Sequence, residues 1–137
     1  IGAENYSRQM SEVIKTSIQQ IVDSGKKVVI IYPIPEMGWD VPNRLGKYLM
    51  KYGHINKDTA SVAYSVFSDR NTQAIFALDS LGESPNIIRI KPSQFFCNTV
   101  VQNRCVSHID GVPLYFDNNH LSDFGASFIV GEIIENL

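Results

Sequence analysis

The residues best suited to chemistry in this 137-residue chain lie near its end, in Leu114-Tyr115-Phe116-Asp117-Asn118-Asn119-His120-Leu121-Ser122. A carboxylate three residues before a histidine can meet the imidazole when both sit on the turn entering a helix. The carboxylate then accepts from one ring nitrogen and sets the tautomer. The other nitrogen is left to take a proton from a nucleophile. Ser122 suits the N-cap of a following helix, and Phe128, Ile129, Ile133, Ile134 and Leu137 give that helix its apolar spacing. Taken alone, Asp-x-x-His is a short motif and more often a polar surface turn than a catalytic pair.

The elements that must position this pair read as follows. Residues 4–24 form an amphipathic helix, with Met10, Val13, Ile14, Ile18, Ile21 and Val22 on one face and Gly25 as its stop. Val28-Val29-Ile30-Ile31, within 27–32, is a β-branched run without alternation, which suits a strand buried on both faces of a parallel sheet. Pro33 and Pro35 end it and force an extended loop to Pro42. That loop follows the C-terminal end of a strand, where open α/β sheets bind ligands. Trp39 within it is a candidate substrate-binding residue; its competing role is to cover core, as most tryptophans do. Val41 to Tyr52 reads as a short helix. Asn56 to Leu81 reads as mostly helical with a break near Ser68-Asp69-Arg70-Asn71. Residues 86–90 form a second strand, 98–104 a surface excursion, and 113–116 a short extended segment feeding Asp117. Alternating helices and short strands predict a parallel sheet between helices. The two strands 27–32 and 86–90 should be neighbours, with the 33–42 loop and His120 at one edge. Three strands are few for a full domain.

Composition narrows the classes. The length suits one domain over residues 1–137. A net charge of −2 gives no reason to expect nucleic acid or an anionic membrane surface as partner. No apolar run approaches the ~20 residues of a membrane span. There is no Gly-rich phosphate loop, no Cys or His set at metal-ligand spacing, and so no cofactor signature. His54 and His108 stand in a polar turn and after a cysteine loop. Ser80, in Leu78-Asp79-Ser80-Leu81, ends a helical pattern and makes a poor nucleophile. Cys97 and Cys105 fit either one local disulfide or two buried thiols, and their number does not decide between these.

The residues around Asp117 and His120 carry a resemblance. Tyr115-Phe116-Asp117-Asn118-Asn119-His120-Leu121-Ser122-Asp123-Phe124-Gly125-Ala126 resembles the last block of SGNH hydrolases, in the form D-x-x-H-L-S-x-x-G-A. That form is typical of extracytoplasmic SGNH domains fused to bacterial membrane acyltransferases that O-acetylate surface sugars. The Tyr32-Pro33-Ile34-Pro35 strand end and the cysteine pair agree with it. The resemblance covers nearly all of this chain but not all of the family domain. It implies a three-layer α/β/α fold of the SGNH or flavodoxin-like kind, incomplete at the N-terminal side. It also implies His120 as general base and Asp117 as its orienting acid. The family's nucleophile sits in an earlier G-D-S block, which this sequence lacks. The oxidising context that the family implies favours a Cys97–Cys105 disulfide.

Two functions follow as expectations. The first is part of an O-acyltransferase working on lipopolysaccharide or another surface glycan. An acyl donor and a glycan acceptor would be its partners, and the membrane acyltransferase domain of the same parent chain would tether it at the periplasmic face. With water as acceptor, the same site is a carbohydrate esterase. The second is a non-catalytic module that binds glycan through Trp39 and the 33–42 loop.

Overall fold

The computed structural model describes residues 2–137. Helix α1 (Gly2–Asp23) leads into strand β1 (Val28–Ile31), followed by α2 (Val41–Tyr52), β2 (Val62–Ala63), α3 (Tyr64–Asp79) and β3 (Ile87–Ile90). Then come a single helical turn α4 (Ser93–Phe96), strands β4 (Arg104–Cys105), β5 (His108–Ile109) and β6 (Val112–Pro113), and helix α5 (Asp123–Asn136). The fold is mixed α/β around a small parallel sheet. As expected, β1 and β3 are paired in parallel, with Val28 opposite Ile87 and Ile31 opposite Ile90. Helices α1 and α5 pack on its two strands. β2 pairs antiparallel with β4, and β5 with β6.

Two cores hold these elements. The larger joins Met37, Val41, Leu45, Phe67, Phe96, Val106, Leu114 and Tyr115. The smaller gathers Ile30, Tyr32 and Leu81 beneath Ile18 of α1. Helix α2 is capped at both ends by chemistry visible in its sequence. Asp40 accepts from the Asn43 amide at 2.8 Å, and Gly53 takes the left-handed conformation at φ 74°.

Three expectations need correction. The segment 56–81 is helical only from Tyr64, and α3 runs unbroken through Ser68 to Asn71. The polar residues there bond back to the preceding turn: Asn71 donates to the Phe67 carbonyl and Thr72 to that of Ser68. Residues 56–61 instead form turns closed by Thr59 and Ser61. Strand β1 is not buried on both faces, because Ile30 is buried while Ile31 remains 47% exposed. The apolar stripe of α1 is largely uncovered too, with Met10, Val13, Ile14 and Ile21 exposed. The extended segment before Asp117 begins, as its own type foretold, in a short strand, β6, which closes a hairpin with β5.

Cys97 and Cys105 are joined, and both are buried. The loop they close holds Asn98 and Asn103 at positive φ, with the Asn98 side chain accepting from the Asn103 amide at 2.7 Å. Behind the hairpin, His108 is buried. Its Nδ1 accepts from the Gly111 amide at 3.1 Å, so the ring proton must lie on Nε2, which donates to the Asn56 carbonyl at 3.0 Å. Burial lowers its pKa below the ordinary imidazole value.

Helix α5 docks closer than any side chain would permit. A Cβ at Gly125 would lie 2.1 Å from the Leu114 carbonyl oxygen. Ser122 completes the joint: its hydroxyl donates to the Pro113 carbonyl at 2.8 Å and accepts from the Gly125 amide at 3.1 Å.

Four stability measurements check this architecture. Replacing both cysteines by alanine should cost roughly 2.5 kcal/mol in chemical denaturation, from the loop entropy returned to the unfolded chain. Gly125→Ala should cost roughly 1–3 kcal/mol through the forced shift of α5. Gly131→Ala, whose added Cβ meets nothing within 4 Å, should be neutral or stabilising by up to ~1 kcal/mol. The folded protein binds a proton at His108 more weakly than the unfolded chain does. Its contribution is therefore full above the ordinary imidazole pKa and is lost as pH falls through that value. The fall in melting temperature from pH 8 to pH 5 should be smaller in His108→Gln than in wild type.

Candidate functional site

The site is built on a turn that the backbone closes twice. The Phe116 amide donates to the His120 carbonyl at 3.1 Å, and the Ser122 amide to the Leu114 carbonyl at 2.9 Å. Inside this turn Asp117 is held by three hydrogen bonds. Its Oδ1 accepts from the amides of Asn119 at 2.9 Å and His120 at 2.7 Å. Its Oδ2 lies 2.7 Å from His120 Nδ1. A carboxylate can only accept, so Nδ1 carries a proton, and in the neutral ring Nε2 is then the nitrogen with the lone pair. The His120 amide, then the Asn119 amide, then the His120 ring hold the Asp117 carboxyl down at about 2. It is therefore a carboxylate at neutral pH. The His120 side chain is 66% exposed, and its ring stacks on Phe116 at 5.5 Å between centroids.

The loop following β1 lies against this turn, as the sequence led us to expect. The Met37 amide donates to the Asn118 carbonyl at 3.0 Å, and the Val41 amide to that of Asp117 at 3.2 Å. The Tyr115 hydroxyl donates to the Pro35 carbonyl at 2.6 Å. Burial raises the Tyr115 pKa, so the phenol stays protonated and remains a donor. The candidate base thus sits beyond the C-terminal end of β1. Trp39, in the same loop, is half-buried against the larger core. The Arg44 guanidinium lies 4.6 Å from its ring centroid. The indole N–H is buried and has no partner among the described residues. Trp39 also lines a depression of about 330 Å³ with Glu36, Met37, Ser61, Arg70 and Arg104.

The other candidates fall elsewhere. Ser80 caps the end of α3, its hydroxyl donating to the Ala77 carbonyl at 2.7 Å. The adjacent Asp79 accepts from the Tyr32 hydroxyl at 2.8 Å. Ser122 serves the helix cap described above. Each hydroxyl donates to a backbone carbonyl, and among the described residues no hydrogen bond joins either to His120. His54 contacts the Tyr52 carbonyl at 3.0 Å. Among the described residues no group of three His, Cys, Asp or Glu side chains could hold a metal ion, and no helix is long and apolar enough to cross a membrane. Gly125 and Tyr115 are the positioning residues that sequence reasoning left without a role. Gly125 carried a signal, since a glycine in the first turn of a helix points to a close backbone approach.

Comparison with known proteins bears on this geometry. No curated protein sequence matches the chain. Among solved structures it is similar to the periplasmic domain of a lipopolysaccharide acetyltransferase from Salmonella ser. Paratyphi A, at 16% sequence identity and a TM-score of 0.62. The match takes in 94% of this chain but 49% of the other, so this chain spans about half the length of that domain. That likeness establishes a shared fold. The family model of the SGNH domain (fused to AT3 domains) matches residues 2–135. With a match of that extent ending in the Asp117–His120 turn and its helix, the chain belongs to the family of SGNH domains fused to AT3 domains.

Proposed function

We propose that residues 1–137 are the base-bearing part of a single SGNH domain in an O-acyltransferase that moves an acetyl group onto a sugar hydroxyl of a surface glycan. The observation that carries this reading is the 2.7 Å contact between Asp117 Oδ2 and His120 Nδ1, which fixes the ring so that, in the neutral tautomer, Nε2 is the nitrogen free to accept a proton. A buried disulfide suits an oxidising, extracytoplasmic compartment. The AT3 part of such a parent chain would tether the domain to the membrane.

The nucleophile is a serine of the parent chain outside these residues. Its Oγ attacks the acyl carbonyl while His120 Nε2 takes its proton. Collapse of the tetrahedral intermediate expels the donor's leaving group, which receives that proton from Nε2, and an acyl-serine remains. His120 next takes the proton of the acceptor hydroxyl as its oxygen attacks the acyl carbon, then returns it to the serine Oγ. Asp117 touches neither substrate. It holds the ring in one tautomer and stabilises the imidazolium formed in each half-reaction. With water as acceptor the same steps are an esterase reaction. The uncovered stripe of α1 and the exposed Phe76 and Ile31 supply an apolar face for the serine-bearing part to cover. The half-length match to the Salmonella domain supports an additional part of that size.

In the full-length parent, His120→Ala should abolish glycan O-acetylation in cells at matched protein levels, and Asp117→Ala should reduce it by several orders of magnitude. Residues 1–137 alone should hydrolyse an activated acetyl ester no faster than their His120→Ala variant. Normal acetylation with His120→Ala would reject the dyad and favour a module that binds glycan without chemistry.

A further inference from the structure

The depression beside Trp39 has a charge the rest of the chain does not. The chain carries a net charge of −2, yet two of its five arginines, Arg70 and Arg104, line this depression against a single carboxylate, Glu36, and a third, Arg44, lies over the Trp39 ring. They differ in how firmly they are held. Arg104 is part-buried and anchored twice on Ser61, its Nε donating to the hydroxyl and its Nη2 to the carbonyl at 2.7 Å. Ser61 thereby engages two of its five N–H donors. The neighbouring disulfide fixes the strand that carries it, since Cys105 follows Arg104 in β4. Arg70 and Glu36 form a pair at 3.5 Å with both side chains about half exposed. An exposed pair of that kind is weak and can open at little cost.

The depression is also close to the candidate base. Its wall contains Met37, whose amide is bonded to the Asn118 carbonyl, and His120 lies two residues further, at most roughly 7 Å along the chain. A polymer whose hydroxyl reaches Nε2 would therefore lay a neighbouring unit on this wall.

We infer that the depression is a subsite for an oxyanion, a carboxylate or phosphate, on the acceptor glycan close to the hydroxyl that is acylated. Arg104 is the preset donor. Arg70 leaves Glu36 and closes on the same group, giving the fork geometry that arginine offers planar and tetrahedral oxyanions. This rests on the acyltransferase reading and adds that the acceptor is anionic.

The test separates the two ideas by measuring binding without turnover. Full-length parent carrying His120→Ala is titrated calorimetrically with an oligoglucuronide and with its carboxyl-reduced, neutral counterpart. The charged oligosaccharide should bind about tenfold tighter or better, and raised ionic strength should erode the difference. Arg104→Gln should remove the preference for the charged ligand. Arg70→Gln, on an exposed side chain that leaves the fold intact, should reduce it severalfold. Displacement by glucuronate alone would assign the subsite to carboxylates, and displacement by glucose 6-phosphate alone to phosphates. Equal affinity for the charged and neutral oligosaccharides would overturn the inference. So would a preference that survives both arginine substitutions. Neither result depends on whether His120 acts as a base.

Discussion

The Asp117 carboxylate is the interaction on which the site depends. One oxygen gathers two backbone amides, and the other receives the His120 ring proton. A single side chain thus shapes the turn and orients the His120 ring. That arrangement works only if the turn itself is held still. The chain clamps it from three sides: the Tyr115 hydroxyl on Pro35, the Met37 and Val41 amides on Asn118 and Asp117, and α5 pressed onto Leu114 where Gly125 permits it. The exposed imidazole is therefore presented by a rigid scaffold, and its pairing needs no help from burial.

Much of this was legible because it is local. An N-cap serine, a carboxylate three residues from a histidine, and a β-branched run ended by prolines are each read within a few residues. The structure places α5, the Asp117–His120 contact and β1 accordingly. The parallel pairing of β1 with β3 followed from alternation of element types rather than from either strand alone. What was not legible depends on tertiary partners. Ser68 to Asn71 looks like a break until the backbonds of Asn71 and Thr72 are seen. The β5–β6 hairpin is two residues a side, too short for any periodicity to declare it. The periodicity of α1 foretold a helix correctly, but periodicity cannot say whether the apolar face has a partner, and most of it lies open.

Trp39 shows how one residue can hold two roles without conflict. Its ring packs on the core and its indole N–H is buried, so packing alone accounts for its position. By being packed, it also fixes the wall that runs from the depression to the Asp117 turn. In this domain the disulfide and the Ser61 turn do the same for Arg104. Acceptor recognition, by Arg104 of β4 and Arg70 of α3, and base positioning are proposed to meet at that one stiff loop after β1.

The central claim is that His120 serves a serine supplied by another part of the parent chain. The most direct measurement is to trap the acyl-enzyme. Full-length parent is incubated briefly with an activated acetyl ester, quenched in acid, digested and mapped by mass spectrometry. The account predicts one acetylated serine outside residues 1–137, absent when His120 is replaced by alanine. An acetyl group on a serine within these residues, or one that forms equally well without His120, would contradict it.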